Sequence, residues 1–210
     1  MTITGSDRMF AGGCGLTGAS ITYDSTPTLG GVNLVEASSS PISTGANSTL
    51  RYHYLGEASF PAGSTADAVF DTSLTTSDPV GSAGVWAGVE DAGPDTQSEY
   101  QNANSDTFTV SGTPGAATGL AVGIAARQWG SADSYTNTGD LAEQQSVERA
   151  FEQSMALADE LDPTTASRTF SGDWGAATRD NADVLLIWDD GAAGGGAVQE
   201  SRLLMLGVGT

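Results

Sequence analysis

The sequence contains no lysine, one cysteine and one histidine, and its seven basic residues are all arginine: Arg8, Arg51, Arg127, Arg149, Arg168, Arg179 and Arg202. Set against 26 acidic residues, they leave a formal net charge of -19. A polyanion of this kind is repelled by nucleic-acid phosphates and by anionic lipid, so neither nucleic acid nor membrane is expected as a partner. The charge reads first as a solubility device, effective even where salt screens repulsion. The lone Cys14 excludes an internal disulfide; a thiol nucleophile would need a base beside it, and a single cysteine is more simply a small buried hydrophobe. The lone His53 excludes a multi-histidine metal cluster within one chain. No run approaches the roughly 18 apolar residues of a membrane span. The opening Met-Thr-Ile-Thr-Gly-Ser-Asp has neither the basic start nor the apolar stretch of a signal peptide, so synthesis in the cytoplasm is expected.

What is present is glycine, 28 residues in 210, with 39% apolar and only 16% charged residues. That composition suits a loop-rich globular fold with small side chains inside rather than a disordered chain. One domain spanning residues 1–210 is expected. Short alternating segments recur between clusters of Gly, Pro, Ser, Thr and Asp, the pattern of an antiparallel β-sandwich. In Asp106–Ser111, Phe108 and Val110 face one side; after the turn Gly112-Thr113-Pro114-Gly115, Leu120, Val122, Ile124 and Ala126 share a face over 118–127. The two segments are expected to pair as a hairpin. Over 48–55, Leu50, Tyr52 and Tyr54 point inward and Thr49, Arg51 and His53 outward; over 83–90, Val85, Ala87 and Val89 alternate with Gly84, Trp86 and Gly88. Residues 183–188 and 202–208 are apolar on both faces and read as central strands. Further strands are expected at 8–16, 19–24, 29–36, 65–71 and 167–171. Between Leu141 and Leu161 the apolar residues fit a helical stripe through Val147, Phe151, Met155 and Ala158, but Val147, Phe151, Met155 and Leu157 also fit a period of two.

The order of these segments carries a resemblance. Ala19–Glu36 with its Gly30-Gly31-Val32-Asn33-Leu34 turn-strand is followed by Leu50-Arg51-Tyr52-His53-Tyr54-Leu55. Then come Phe60-Pro61-Ala62-Gly63-Ser64, the small-residue strand Ala83–Val89 and the segments at 106–127. The series is similar to a β-sandwich domain that recurs in tailed-phage virion proteins and in large secreted bacterial proteins. The resemblance implies an all-β, jelly-roll-like antiparallel sandwich. It also implies that Ser154–Glu160 and Ala166–Trp174 form a late hairpin, with one short helix around 141–153 before it. The acidic 141–153 insert and the extra C-terminal strand at 200–208 depart from the group. The function implied is that of a virion structural protein, a capsid decoration (cement) protein or a head or tail appendage on the virion surface. It would act by packing against itself, as a homo-oligomer such as a trimer, and against the major capsid or tail protein. No catalytic residue comes with the resemblance, and no enzyme activity is expected.

Other constellations compete with this reading. Gly13-Cys14-Gly15-Leu16-Thr17-Gly18 has the letters of a dinucleotide fingerprint, but a strand-like Ala19-Ser-Ile-Thr-Tyr-Asp follows where a helix should offer its amides. His53 alternates onto an outward face, and no nucleophile elbow accompanies it. Loop carboxylates recur at Glu90, Asp91, Asp95 and Glu99, at Asp133 and Asp140, and at Asp189 and Asp190. No cofactor is required; the alternative is a Ca²⁺ held by Glu90, Asp91 and Asp95. Trp86 and Trp188 belong to apolar strands and are expected in the core. Trp129 and Tyr135 are the aromatics placed to stack on a ligand, which gives the alternative function, a carbohydrate-binding, lectin-like module for surface glycans. Asn47-Ser48-Thr49 spells a glycosylation sequon, incidental without a secretory signal.

Overall fold

The computed structural model describes residues 8–16, 23–38, 40–44, 48–63, 65–71, 80–89, 93–117, 119–128, 135–147, 154–161, 163–175, 179–189 and 198–203. The strands in the first part of the chain are β1 (Met9–Leu16), β2 (Thr28–Leu29), β3 (Val32–Asn33), β4 (Val35–Glu36), β5 (Ile42–Thr44) and β6 (Ser48–Gly56). Next come β7 (Ala68–Val69), β8 (Val80–Ala87), β9 (Thr96–Ser105), β10 (Thr107–Gly112) and β11 (Gly119–Arg127). The last are β12 (Thr136–Asn137), β13 (Ala142–Val147), β14 (Ser154–Leu161), β15 (Arg168–Asp173), β16 (Arg179–Asp189) and β17 (Val198–Leu203). Among the described residues the only helical element is a 3-10 turn at Glu57–Ser59, and no helix is long and apolar enough to cross a membrane. The protein is all-β and sandwich-like, as the alternation implies.

Among the described residues the strands form four antiparallel sheets. A six-stranded sheet runs β17-β8-β1-β6-β4 with β5 also on β6, and a five-stranded sheet runs β13-β14-β11-β16-β9. Two three-stranded sheets, β3-β2-β7 and β10-β15-β12, complete the set. Three hydrophobic cores show how they stack. The first joins the two large sheets: Met9, Ala11, Leu50, Tyr52 and Trp86 meet Leu120, Val122, Ile124, Met155, Leu186 and Trp188. The second lies on the other face of the five-stranded sheet, where Ala121, Ala125, Leu185 and Ile187 meet Phe108, Val110 and Phe170 of the β10-β15-β12 sheet. The third lies on the other face of the six-stranded sheet, where Phe10, Cys14, Leu55, Ala83 and Val85 meet Leu29 and Ala68 of the β3-β2-β7 sheet. The order is therefore small sheet, large sheet, large sheet, small sheet.

This layering explains the sequence. A strand covered on one face alternates, and β10 does: its residues are exposed and buried in turn. A strand covered on both faces has no polar side, and every residue of β8 and β11 is buried, as are the nine interior residues of β16. Small residues let the layers close. A Cβ on Gly123 would lie 2.3 Å from Cγ of Phe170, so only glycine lets that ring sit over β11; a Cβ on Gly84 would lie 2.5 Å from the Trp86 indole. The Trp86 Nε1–H donates to Asp159 Oδ2 at 2.7 Å inside the first core, which satisfies the indole where no water reaches it.

Several expectations of pairing are corrected. β10 and β11 are both strands, but they form no hairpin: β10 pairs with β15, while β11 pairs with β14 and β16. A strand buried on both faces belongs in the middle of a central sheet, so the 113–118 connection carries the chain from one layer to the next. The 154–160 segment is a strand, yet it does not pair with 168–173; β14 lies between β11 and β13, and β15 lies between β10 and β12. Residues 142–147 form the edge strand β13, not helix, because their backbone pairs with β14 through a bulge between Glu143 and Gln145. Residues 148–153 lie outside the described residues. For the strand expected at 202–208, the described part is Val198–Leu203, which pairs with β8 at the end of the six-stranded sheet; residues 204–210 lie outside the described residues. Thr49 and His53, expected outward, are buried: the rings of Tyr23 and Phe70 pack on His53, and the Thr49 hydroxyl meets that of Ser43 in β5. Gly13, Cys14 and Gly15 lie within β1, and residues 17–22, which follow it, lie outside the described residues.

Candidate functional site

The outer face of the six-stranded sheet, where its small covering sheet ends, holds the most developed polar cluster open to solvent. Pairing sets it up. β6 lies between β1 and β4, placing Cys14 opposite Arg51, and Glu36 opposite His53. Arg51 and His53 share a face two residues apart, so Glu36 reaches Arg51 diagonally. The pair is bidentate: Arg51 Nε donates to Glu36 Oε1 at 2.7 Å and Nη2 to Oε2 at 2.6 Å. The Ser40 hydroxyl donates to the same carboxylate at 2.8 Å and accepts from the Tyr52 amide at 3.2 Å, tying the loop before β5 to the ion pair. The Arg51 guanidinium lies 4.7 Å from the centre of the Tyr23 ring. Tyr23, His53 and Phe70 form a ring cluster, with centroids 5.5 Å apart for Tyr23–His53 and 5.9 Å for His53–Phe70.

Beside these groups opens a cleft of about 470 Å³, lined by Tyr23, Asp24, Ser25, Thr26, Pro27, Leu34, Glu36, Arg51 and His53. The 23–27 segment that walls it is anchored by its backbone, the Asp24 amide donating to Asp71 O at 3.0 Å and the Leu34 amide to Pro27 O at 2.8 Å. The charge states follow from burial and pairing. Burial pushes His53 down to about 4, against the opposing pull of the Glu36 charge, so its imidazole is neutral at physiological pH. Burial raises the Glu36 carboxyl, but hydrogen bonds from Arg51 and Ser40 and the Arg51 charge outweigh it and hold the group below the usual carboxylate range. Burial pushes the Cys14 thiol up to about 12 and raises the Tyr23 phenol as well. At neutral pH the cleft thus offers a locked ion pair, a neutral imidazole and phenol, and the exposed Asp24, Ser25 and Thr26. Such a set can bind and orient. His53 Nδ1 and Tyr23 Oη have no hydrogen-bond partner among the described residues.

A second polar cluster is sealed on the outer face of the five-stranded sheet. Arg127 stands opposite Asn181, with Asp183 two residues further along β16, and all three are 0% exposed. Arg127 Cζ lies 5.8 Å from the centre of the Trp174 ring, and Asn181 Nδ2 donates to Ser105 O at 3.0 Å. Both carboxyl oxygens of Asp183 and the Trp174 Nε1 lack a partner among the described residues. Burial raises the Asp183 carboxyl well above its usual value.

Of the site residues singled out from sequence, Tyr135 and Asp95 fall among the described residues. Trp129, Glu90 and Asp91 lie outside the described residues. Tyr135 is 8% exposed and belongs to the second core, its ring 6.3 Å from Phe108 and 4.9 Å from Trp174, so it presents no stacking platform. Asp95 is exposed, but its Oδ2 accepts from the Asp189 amide at 2.8 Å. The Asp189 carboxylate in turn accepts from the Gly115 amide at 2.8 Å, so these acids fasten turns to the end of β16. Among the described residues no group of three His, Cys, Asp or Glu side chains is placed to hold a metal ion. Trp86 and Trp188 are fully buried, as expected. Sequence reasoning passed over Tyr23, Asp24, Glu36 and Arg51. The one signal was that Arg51 shares a strand face with the only histidine, a pair that demands a carboxylate once the face is covered. No family model matches the chain, and neither does any curated protein or solved structure.

Proposed function

We propose that the chain is a structural subunit of a tailed-phage virion, a capsid decoration protein or a head or tail appendage, acting by protein–protein packing within a homo-oligomer. The edge strand β9 carries this reading. It is ten residues long, pairs with β16 on one side and, among the described residues, with no strand on the other. An edge of that length offers a row of backbone donors and acceptors to another chain, and proteins that stay monomeric blunt such edges with lysine, proline or brevity. β9 uses none of these: Thr96-Gln-Ser-Glu-Tyr-Gln-Asn-Ala-Asn-Ser105 has Glu99 as its single charge. Its one irregularity lies at the far end, opposite Arg179–Asn181, which leaves Thr96–Asn102 regular. Strand addition by a neighbouring subunit suits such an edge, and closed symmetry would repeat the contact around a ring. The resemblance of the segment order to virion β-sandwich domains supports the same reading, and the acidic surface keeps free subunits apart before assembly.

Sedimentation velocity of the purified chain, with co-pelleting against empty shells of a tailed-phage major capsid protein, tests the proposal. A discrete oligomer that pellets saturably with shells is expected, and Gln101→Lys, which puts a charge on the exposed edge, weakens it. A monomer that pellets with neither shells nor tails, or a measurable hydrolase turnover, would overturn it.

A further inference from the structure

We propose that the cleft between the 23–27 segment and the β4–β6 pair is a binding site for a neutral, hydroxyl-rich ligand, one unit of a saccharide. This goes beyond the packing role and does not depend on it. The cleft, at about 470 Å³, falls within the size of small-ligand pockets, about 300–1,000 Å³. Its charges select the ligand. The one guanidinium in its wall, Arg51, is already neutralised by both oxygens of Glu36, while the exposed Asp24 has no side-chain partner among the described residues. A phosphate, sulfate or acidic sugar would therefore meet two carboxylates and no free cation. A lysine or arginine side chain from a partner would find one open carboxylate, Asp24, and the Arg51 guanidinium in the same wall, since Glu36 is taken. A neutral polyol suits this wall: its hydroxyls can donate to the exposed Asp24 carboxylate and exchange hydrogen bonds with the Ser25 and Thr26 hydroxyls. Charge-assisted bonds of this type are the stronger ones. Leu34 and Pro27 line the cleft floor and give it an apolar part against which the C–H face of a sugar ring can lie. His53, whose buried Nδ1 has no partner among the described residues, lies behind the same wall.

The full chain, labelled with ¹⁵N, is titrated with glucose, galactose, mannose, fucose and N-acetylglucosamine, and separately with N-acetyl-lysine amide. At least one neutral sugar is expected to shift the amides of Asp24, Ser25, Thr26 and Arg51, with binding on the order of 1–10 mM. Asp24→Ala, on an exposed loop held by its backbone, weakens that binding about tenfold or more; Thr109→Ala, on the exposed face of β10, leaves it unchanged. No sugar shifting these amides, binding that survives Asp24→Ala, or the lysine amide binding in place of the sugars would each overturn the proposal. The packing role is read by sedimentation, so the two can fail separately.

Discussion

Asp183 is 0% exposed, and neither of its carboxyl oxygens meets a donor among the described residues. Burial raises its pKa well above the usual value, so the folded protein holds that proton where the unfolded chain, with an ordinary aspartate at about 3.9, has released it. A folded-state pKa that is raised contributes stability below the unfolded value and loses it as pH climbs towards the folded one. The loss runs at about 1.4 kcal/mol per pH unit while the folded carboxyl stays protonated. An asparagine in its place would not titrate, and the amide has nearly the shape of the protonated acid. Asp183→Asn should therefore leave stability almost unchanged near pH 4 and raise it progressively above that. For a chain of this size about 1 kcal/mol moves Tm by roughly 2–4 °C, so the variant should gain about 3–6 °C on the parent for each pH unit. Thermal melts followed by circular dichroism, parent against variant at fixed ionic strength from pH 4 to 8, measure the difference directly. A gap that stays flat with pH, or a parent more stable than the variant at pH 7, would refute the account of Asp183 as an unsatisfied buried acid.

Trp86→Phe removes the indole donor that meets Asp159 in the first core, and should cost about 1–3 kcal/mol in urea unfolding. Combined with Asp159→Asn the two losses should fall short of additive by at least about 0.5 kcal/mol, because they share one bond. His53, pushed down to about 4 by burial, should remain neutral by imidazole NMR until the pH approaches that value. Its depressed pKa means stability is intact above about 6.5 and declines as pH falls through the folded value, a loss of about 3 kcal/mol that His53→Phe should remove. Cys14, 2% exposed and with its thiol pushed up to about 12, should react with an aromatic disulfide reagent only after denaturation; fast labelling of the native protein would contradict its burial in the third core.

Sequence alone determined which residues share a face. The period of two is a property of the extended backbone, so Leu120, Val122, Ile124 and Ala126 fall on one side of β11 whatever that strand pairs with. For the same reason Trp86 and Trp188 were legible as core, and the doubly apolar run at 183–188 as a central strand. Partners were not legible, because ladder hydrogen bonds join backbone to backbone and carry no side-chain label. Hence β10 and β11, adjacent and both strands, lie in different layers. The candidate site was hidden by the same layering. Thr49, Arg51 and His53 alternate with Leu50, Tyr52 and Tyr54 just as a solvent face would, and only the rings of Tyr23 and Phe70 on His53, with Ser43 of β5 on Thr49, turn that face inward. Tertiary structure decided the chemistry of His53, since an imidazole titrates according to what covers it, and the cover comes from segments some thirty residues before it and seventeen after it.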